Sequence, residues 1–145
     1  MPDWNKHFNL CKKANDERKF ALANELLRKA QHDIAQNEKA DWNWFIESLN
    51  DSEKKCFVAA VLKYASIPKF LLPVMIQTAI SETNPSLNKD FLIPCIATYG
   101  KEKIHNLLIE ISNNGTEVEK QGVERLLYWI NYPEFKKSGV WDNVS

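Results

Sequence analysis

The stretch NNGTEVEKQGVERLLYWI, residues 113–130, contains the start of a helix and an apolar stripe along it. Thr116 and Glu119 have the spacing of a capping box, in which each side chain accepts a hydrogen bond from the other residue's backbone amide. Apolar residues then recur at intervals of three and four, the pattern of an amphipathic helix. We therefore predict a helix that starts at Thr116 and runs to Ile130.

Gly122 lies in the middle of this predicted helix, on the stripe shared by Val118, Leu126 and Trp129. A glycine inside a helix costs about 1 kcal/mol relative to alanine, so a compensating interaction is expected. Close approach of a neighbouring helix would require that this position has no side chain. A local kink, the alternative, would tolerate a glycine but would not require one. Close packing is the simpler explanation, and we expect it.

The same spacing of apolar residues extends over most of the chain and predicts about eight helices. Asn50–Glu53 offers several capping side chains before one helix, and Pro68 disfavours helical geometry in the residue before it. Four glycines and few valine or threonine runs argue against a sheet. We predict an all-α protein with a single domain over residues 1–145.

The charges of the chain cancel, with 19 basic and 19 acidic residues among 145. Neither half has a basic excess, which argues against a dominant nucleic-acid or membrane-surface footprint. Cys11, Cys56 and Cys95 are odd in number and far apart, as expected for core residues in a reducing compartment. No signal peptide or long apolar run is present, so we expect a soluble cytoplasmic protein.

Two segments, PKFLLPVMIQTA and NKDFLIPCIATYG, share Phe-Leu-(Leu/Ile)-Pro at Phe70–Pro73 and Phe91–Pro94. Each proline is expected early in its helix, or at a slight kink. Over about residues 50–130 the chain resembles HEAT-type helical repeats. The first 35 residues are similar to one tetratricopeptide hairpin, with Leu10 and Ala14 among the matching positions. These resemblances imply a right-handed α–α superhelix that binds other proteins through a concave helical face.

Residue patterns for catalysis or metal binding are weak. His7 and Cys11 lie four apart but lack two further zinc ligands nearby. Glu102 and His105 have the spacing found in di-iron bundles, where it must occur twice. Cys56 follows two lysines near a helix start, a setting that favours a reactive cysteine, yet the apolar residues after it suggest the core margin. We predict no cofactor, no metal, no small-molecule substrate and no enzymatic activity.

Protein binding is therefore the function we expect, either as a bacterial immunity-type protein that blocks a toxin or as a general adaptor. The candidate partner-binding residues are Trp44, Tyr128, Tyr132 and Trp141, because aromatic side chains dominate many interfaces. Trp44 points away from Trp42 and either caps a second packing layer or serves as an exposed anchor.

The alternative function is that of a HEAT-like DNA-binding or DNA-repair protein. Six cations would supply its phosphate contacts, although glutamates alternate with them and weaken the local field. They are Lys101, Lys103, Lys120, Arg125, Lys136 and Lys137.

Overall fold

All of the described secondary structure is helical. The computed structural model describes residues 3–36 and 42–131, and within these ranges it contains eight α-helices and no β-strand. The predictions of an all-α chain and of about eight helices are confirmed. In chain order the helices are α1 (Trp4–Asp16), α2 (Phe20–Gln36), α3 (Trp42–Ser48), α4 (Lys54–Leu62), α5 (Leu72–Ser81), α6 (Asn88–Tyr99), α7 (Lys101–Asn114) and α8 (Glu117–Ile130).

The chain divides into two compact units, Met1–Ala65 and Ser66–Ser145. The first contains α1 to α4 and the second contains α5 to α8. The expectation of a single domain over residues 1–145 stays a prediction. None of the helices in the described ranges combines the length and apolar character needed to cross a bilayer.

A tight turn connects α1 to α2 in the first unit. Its central residue, Arg18, has φ 59°, in the left-handed region that usually belongs to glycine. The Arg18 amide donates to the Asn15 carbonyl at 3.0 Å, and the Lys19 amide donates to the Ala14 carbonyl at 2.8 Å. This pair of hydrogen bonds is a Schellman motif, which satisfies carbonyls at the end of α1.

The core of the first unit forms where α2 packs on α1 and α4, and α3 packs on α4. Gln31 on α2 donates from Nε2 to the Ala60 carbonyl of α4 at 2.8 Å, which ties these two helices together. Phe20 follows the apolar spacing of α2 but is 59% exposed. It is the first residue of the helix, and the buried positions begin at Ala23.

Aromatic rings join α1, α3 and α4. Phe45 is fully buried, with its ring centroid 4.8 Å from that of Trp4 and 5.2 Å from that of Trp44. Phe57 meets Phe8 at 5.7 Å and Trp44 at 6.2 Å, both edge to face. Edge-to-face pairs at these distances contribute about 0.5–1.5 kcal/mol each beyond burial, so the cluster holds α3 in place.

The start of α4 agrees with its sequence signal. Asp51 Oδ1 accepts hydrogen bonds from the backbone amides of Glu53 and Lys54, both at 2.9 Å. Because the amides of Lys54 and Glu53 stabilise the ionised form, the pKa of the Asp51 carboxyl lies below its usual range. Asp51 therefore satisfies amides that the first turn of α4 would otherwise leave unpaired.

In the second unit, α5 packs on α6, α6 on α7, and α7 on α8, and α8 also packs on α5. The four helices thus form a ring of neighbours. This ring is compatible with a short helical repeat and with a four-helix bundle.

The two prolines take different places in their helices. Pro73 lies in the first turn of α5, where a missing amide hydrogen costs least, as predicted. Pro94 lies inside α6 and is buried, so it does not take the predicted early position, and the alternative of a slight kink stays a prediction. The helix continues through it because tertiary packing of Phe91, Leu92 and Ile96, all fully buried, outweighs one lost helical hydrogen bond.

Gly122 lies where α8 approaches the end of α5. A Cβ placed on Gly122 would lie 2.6 Å from Cγ2 of Ile80 and closer still to the Ile80 carbonyl oxygen. The same oxygen accepts a hydrogen bond from Arg125 Nη2 at 3.0 Å. This carbonyl is among the last four of α5, which lack helical partners, so the guanidinium caps the negative end of the helix. The predicted close packing at Gly122 is confirmed.

The start of α8 is a capping box, as predicted. The Glu119 amide donates to Thr116 Oγ1 at 3.2 Å, and the Thr116 amide donates to Glu119 Oε1 at 3.1 Å. Val118, expected on the buried stripe with Gly122, is instead 71% exposed. The buried residues of α8 begin one turn later, at Gly122 and Val123.

Candidate partner-binding surfaces

Trp44 is half-buried, with its ring against Phe45 and Phe57. Its indole Nε1 donates to Asn5 Oδ1 at 2.8 Å, and the Lys54 ammonium lies 6.0 Å from the ring centroid. These contacts are the ones expected if Trp44 caps a second packing layer. The part of Trp44 that remains accessible borders a small polar cavity of about 160 Å³, and its role in partner binding stays a prediction.

Tyr128 lies on the outer side of α8 and is 61% exposed. Its ring meets that of Trp129 edge to face at 5.6 Å, and the Lys89 ammonium lies 4.2 Å from the Trp129 centroid. Tyr128 is therefore accessible to a partner. The other two predicted binding residues, Tyr132 and Trp141, lie outside the described residues. Tyr128 and Trp44 belong to different units, and the role of these four residues in partner binding stays a prediction.

A groove with a volume of about 510 Å³ runs between α1, α2 and α4, entirely within the first unit; we call it the α1–α2–α4 groove. Its floor is apolar and combines buried and half-buried side chains. Its rim is polar and exposed, and includes the Cys56 thiol. The floor consists of Phe8, Cys11, Ala23, Leu27, Phe57 and Ala60, and the rest of the rim consists of Lys12, Asn15, Asp16, Asn24, Ser52 and Glu53.

An ion pair joins α1 to the start of α4 at the rim. The Lys12 ammonium lies 2.9 Å from Glu53 Oε2, and both side chains remain about half exposed or more. The hydrogen bond to Glu53 and the nearby negative charges of Glu53, Asp16 and Asp51 raise the pKa of Lys12 above its usual value. Such an exposed pair adds little to stability, so it chiefly sets the charge pattern of the rim.

The two groove cysteines differ in accessibility. Cys11 is 6% exposed, and burial raises the pKa of its thiol. Cys56 is exposed to solvent. Because the thiolate is the reactive form, Cys11 reacts slowly, whereas Cys56 is open to reagents that enter the groove.

No metal-binding group was found in the described part of the chain, where no three His, Cys, Asp or Glu side chains converge. His7, considered with Cys11 as a zinc ligand, instead places Nε2 3.2 Å from Asp33 Oδ2.

The predicted cationic patch is only partly available to phosphates. Arg125 is directed to the Ile80 carbonyl, and Lys103 lies over the Tyr99 ring at 4.9 Å. Lys103 also lines a cavity of about 490 Å³ together with Glu102 and Glu110, so carboxylates accompany it there. Lys136 and Lys137 lie outside the described residues.

The groove was not predicted from the sequence, although five of its floor residues follow the apolar spacing of amphipathic helices. These residues are Phe8, Cys11, Ala23, Leu27 and Phe57. The signal that was present is the small size of Ala23 and Ala60 on neighbouring helices. Small side chains opposite large rings leave space, but the pairing of α2 with α4 has to be known before that space can be located.

Comparison of the chain with protein-family models, with curated proteins and with solved structures finds no match in any of the three.

Proposed function

We propose that the chain is a non-catalytic protein-interaction module and that it binds a partner protein in the α1–α2–α4 groove. The observation that supports this most directly is the combination of an apolar, partly aromatic floor with an exposed polar rim. Protein interfaces have this anatomy, with a desolvated apolar centre surrounded by polar groups that remain in contact with water.

The size of the groove suits anchoring side chains of a partner. Clefts of about 300–1,000 Å³ bury most of a drug-sized group, which corresponds to one or two large side chains. Phe8 and Phe57, whose centroids lie 5.7 Å apart, offer ring surface to an apolar anchor. Apart from the Cys11 thiol, the polar side chains of the groove lie on the exposed rim. Catalysis instead needs polar groups that converge in a water-poor space.

Two finer interpretations belong to the same proposal. The partner is either a toxin, which an immunity-type protein would block, or a protein that an adaptor recruits, and the groove serves both.

We also propose the HEAT-like, right-handed α–α superhelix and a cytoplasmic setting. The succession of packed neighbouring helices supports the first, and the three free cysteines, as expected in a reducing compartment, motivate the second.

The test is affinity capture from a lysate of the source organism with the intact chain and with Asn24→Trp. Asn24 is an exposed rim residue, so an indole there fills the groove without entering the helix packing. The matched control is Glu25→Trp, because Glu25 is exposed on the same helix but does not line the groove.

The proposal predicts that the intact chain and Glu25→Trp retain the same partner and that Asn24→Trp loses it. A partner held equally by all three proteins would place the interface elsewhere. Failure to retain any protein would contradict the protein-binding function itself.

A further inference from the structure

One end of the α1–α2–α4 groove carries oxygen acceptors that the protein itself leaves unused. Asn15 and Asp16, at the end of α1, and Asn24, near the start of α2, line the groove there. Within residues 3–36 and 42–131, their side chains make no hydrogen bond or ion pair. Amide oxygens and a carboxylate are acceptors for cationic donors, so this end of the groove is suited to a positive group.

The position of Asp16 at the end of a helix also favours a positive group at this end of the groove. Asp16 is the last residue of α1, and the carboxyl end of a helix carries a partial negative charge. A carboxylate at that end is unfavourable for the helix. A bound cation would instead be favoured by the helix end and by the carboxylate together.

Lys12 lies one helical turn before Asp16 on α1, and the charge of Asp16 acts on its ammonium. Among the lining residues in the described part of the chain, Lys12 is the single ammonium, and Glu53 holds it at 2.9 Å. The lining therefore contains two carboxylates and one engaged cation, which gives the groove a net negative charge.

We propose that the groove recognises a partner segment in which an apolar side chain is accompanied, within about one helical turn or a few extended residues, by an arginine or lysine. The apolar side chain packs on Phe8 and Phe57, and the cation lies at Asp16 and Asn24. Arginine fits better than lysine, because its planar guanidinium has five donors for several separate oxygens. This inference rests on the proposed function and names the chemistry of the partner.

The test uses random peptides of twelve residues displayed on phage, selected on the intact chain and counter-selected on Asn24→Trp. Peptides that depend on the groove are expected to pair a large apolar residue with arginine or lysine. A selected peptide is then made with a fluorophore, and its affinity is measured against the intact chain and against Asp16→Asn.

Asp16→Asn is expected to weaken the peptide roughly two- to fivefold, the range of an exposed ion pair. Replacement of the peptide's cation by glutamine should weaken it by a similar factor, with no further loss when both changes are combined. Glu25→Gln removes an exposed carboxylate outside the groove and should leave the affinity unchanged. Thermal unfolding of Asp16→Asn should show equal or higher stability, which separates lost recognition from lost folding.

The outcomes distinguish the two proposals. Groove-dependent peptides without a preference for arginine or lysine overturn the inference and leave the proposed function standing. A selection that yields no groove-dependent peptide overturns both. Sedimentation that shows a dimer of the intact chain, lost in Asn24→Trp, would assign the groove to a second copy and overturn the inference.

Discussion

Replacement of Gly122 by alanine adds one methyl group at the contact between α8 and α5. On an exposed helix surface this change would stabilise the helix by about 1 kcal/mol. At Gly122 the added carbon would lie 2.6 Å from Ile80 Cγ2 and closer to the Ile80 carbonyl oxygen. Part of that obstacle is backbone, so rotation of the Ile80 side chain cannot remove it.

Two effects oppose the gain in helix propensity. Overpacking of a close contact costs about 1–3 kcal/mol. A shift of α8 away from Ile80 also lengthens the 3.0 Å hydrogen bond from Arg125, and a hydrogen bond to a charged group contributes about 1.5–3 kcal/mol. With part of this bond lost, we expect a net destabilisation of about 2 kcal/mol. In a chain of this size that corresponds to a drop of about 4–8 °C in Tm.

Stability is measured by urea and thermal unfolding, both monitored by circular dichroism, for Gly122→Ala, Gly122→Leu and Gln121→Ala. Gly122→Leu should lose more stability than Gly122→Ala, because a larger side chain forces the helices further apart. Gln121 is exposed on the same helix, so Gln121→Ala should change stability little. A Gly122→Ala protein as stable as the parent, or equal losses for alanine and leucine, would refute the packing argument.

Three further predictions follow from local geometry. Arg18→Gly should raise stability by up to about 1 kcal/mol in thermal unfolding, because glycine adopts φ 59° without the steric cost of a Cβ; a loss would contradict the assigned turn. Hydrogen bonds from the Thr116 backbone amide and, to a lesser extent, from the Gln77 side-chain amide hold the pKa of the Glu119 carboxyl below its usual range. The stability that Glu119 contributes is therefore complete above an unfolded-state pKa of about 4.3, and it is lost as pH falls through the lower pKa of the folded state. Urea midpoints should therefore separate Glu119→Gln from the parent at neutral pH and converge in acid, and a gap that is constant with pH would exclude this linkage. Trp44→Ala should cost about 2 kcal/mol or more and Trp44→Phe less, because the ring packs on Phe45 and Phe57, and an unchanged Tm would return Trp44 to the role of an exposed anchor.

Much of the fold was predictable because its signals are local. The capping box of Thr116 and Glu119 and the early position of Pro73 depend on a few neighbouring residues. The period of three and four also located the helices. Gly122 was informative for a different reason: its cost in an isolated helix indicated that a compensating contact had to exist.

Other features depend on which helices meet, and the sequence does not state this. Phe20 and Val118 fit the apolar period but lie in the first turns of their helices, where they remain exposed. Arg18 adopts a conformation that sequence rules assign to glycine. The α1–α2–α4 groove requires three separate segments to assemble, so its rim residues Asp16 and Asn24 had no recognisable pattern.

Occupation of the α1–α2–α4 groove by a partner can be measured at Cys56, which lines the groove. Cys56 is the exposed thiol of the groove, whereas Cys11 and Cys95 are buried; burial raises the pKa of both, that of Cys95 to about 12. Alkylation of the native protein should therefore modify Cys56 first, and mass spectrometry of peptides can follow its rate. With the captured partner bound, we expect alkylation of Cys56 to be strongly slowed. A bound partner that leaves the alkylation rate of Cys56 unchanged would contradict occupation of the groove.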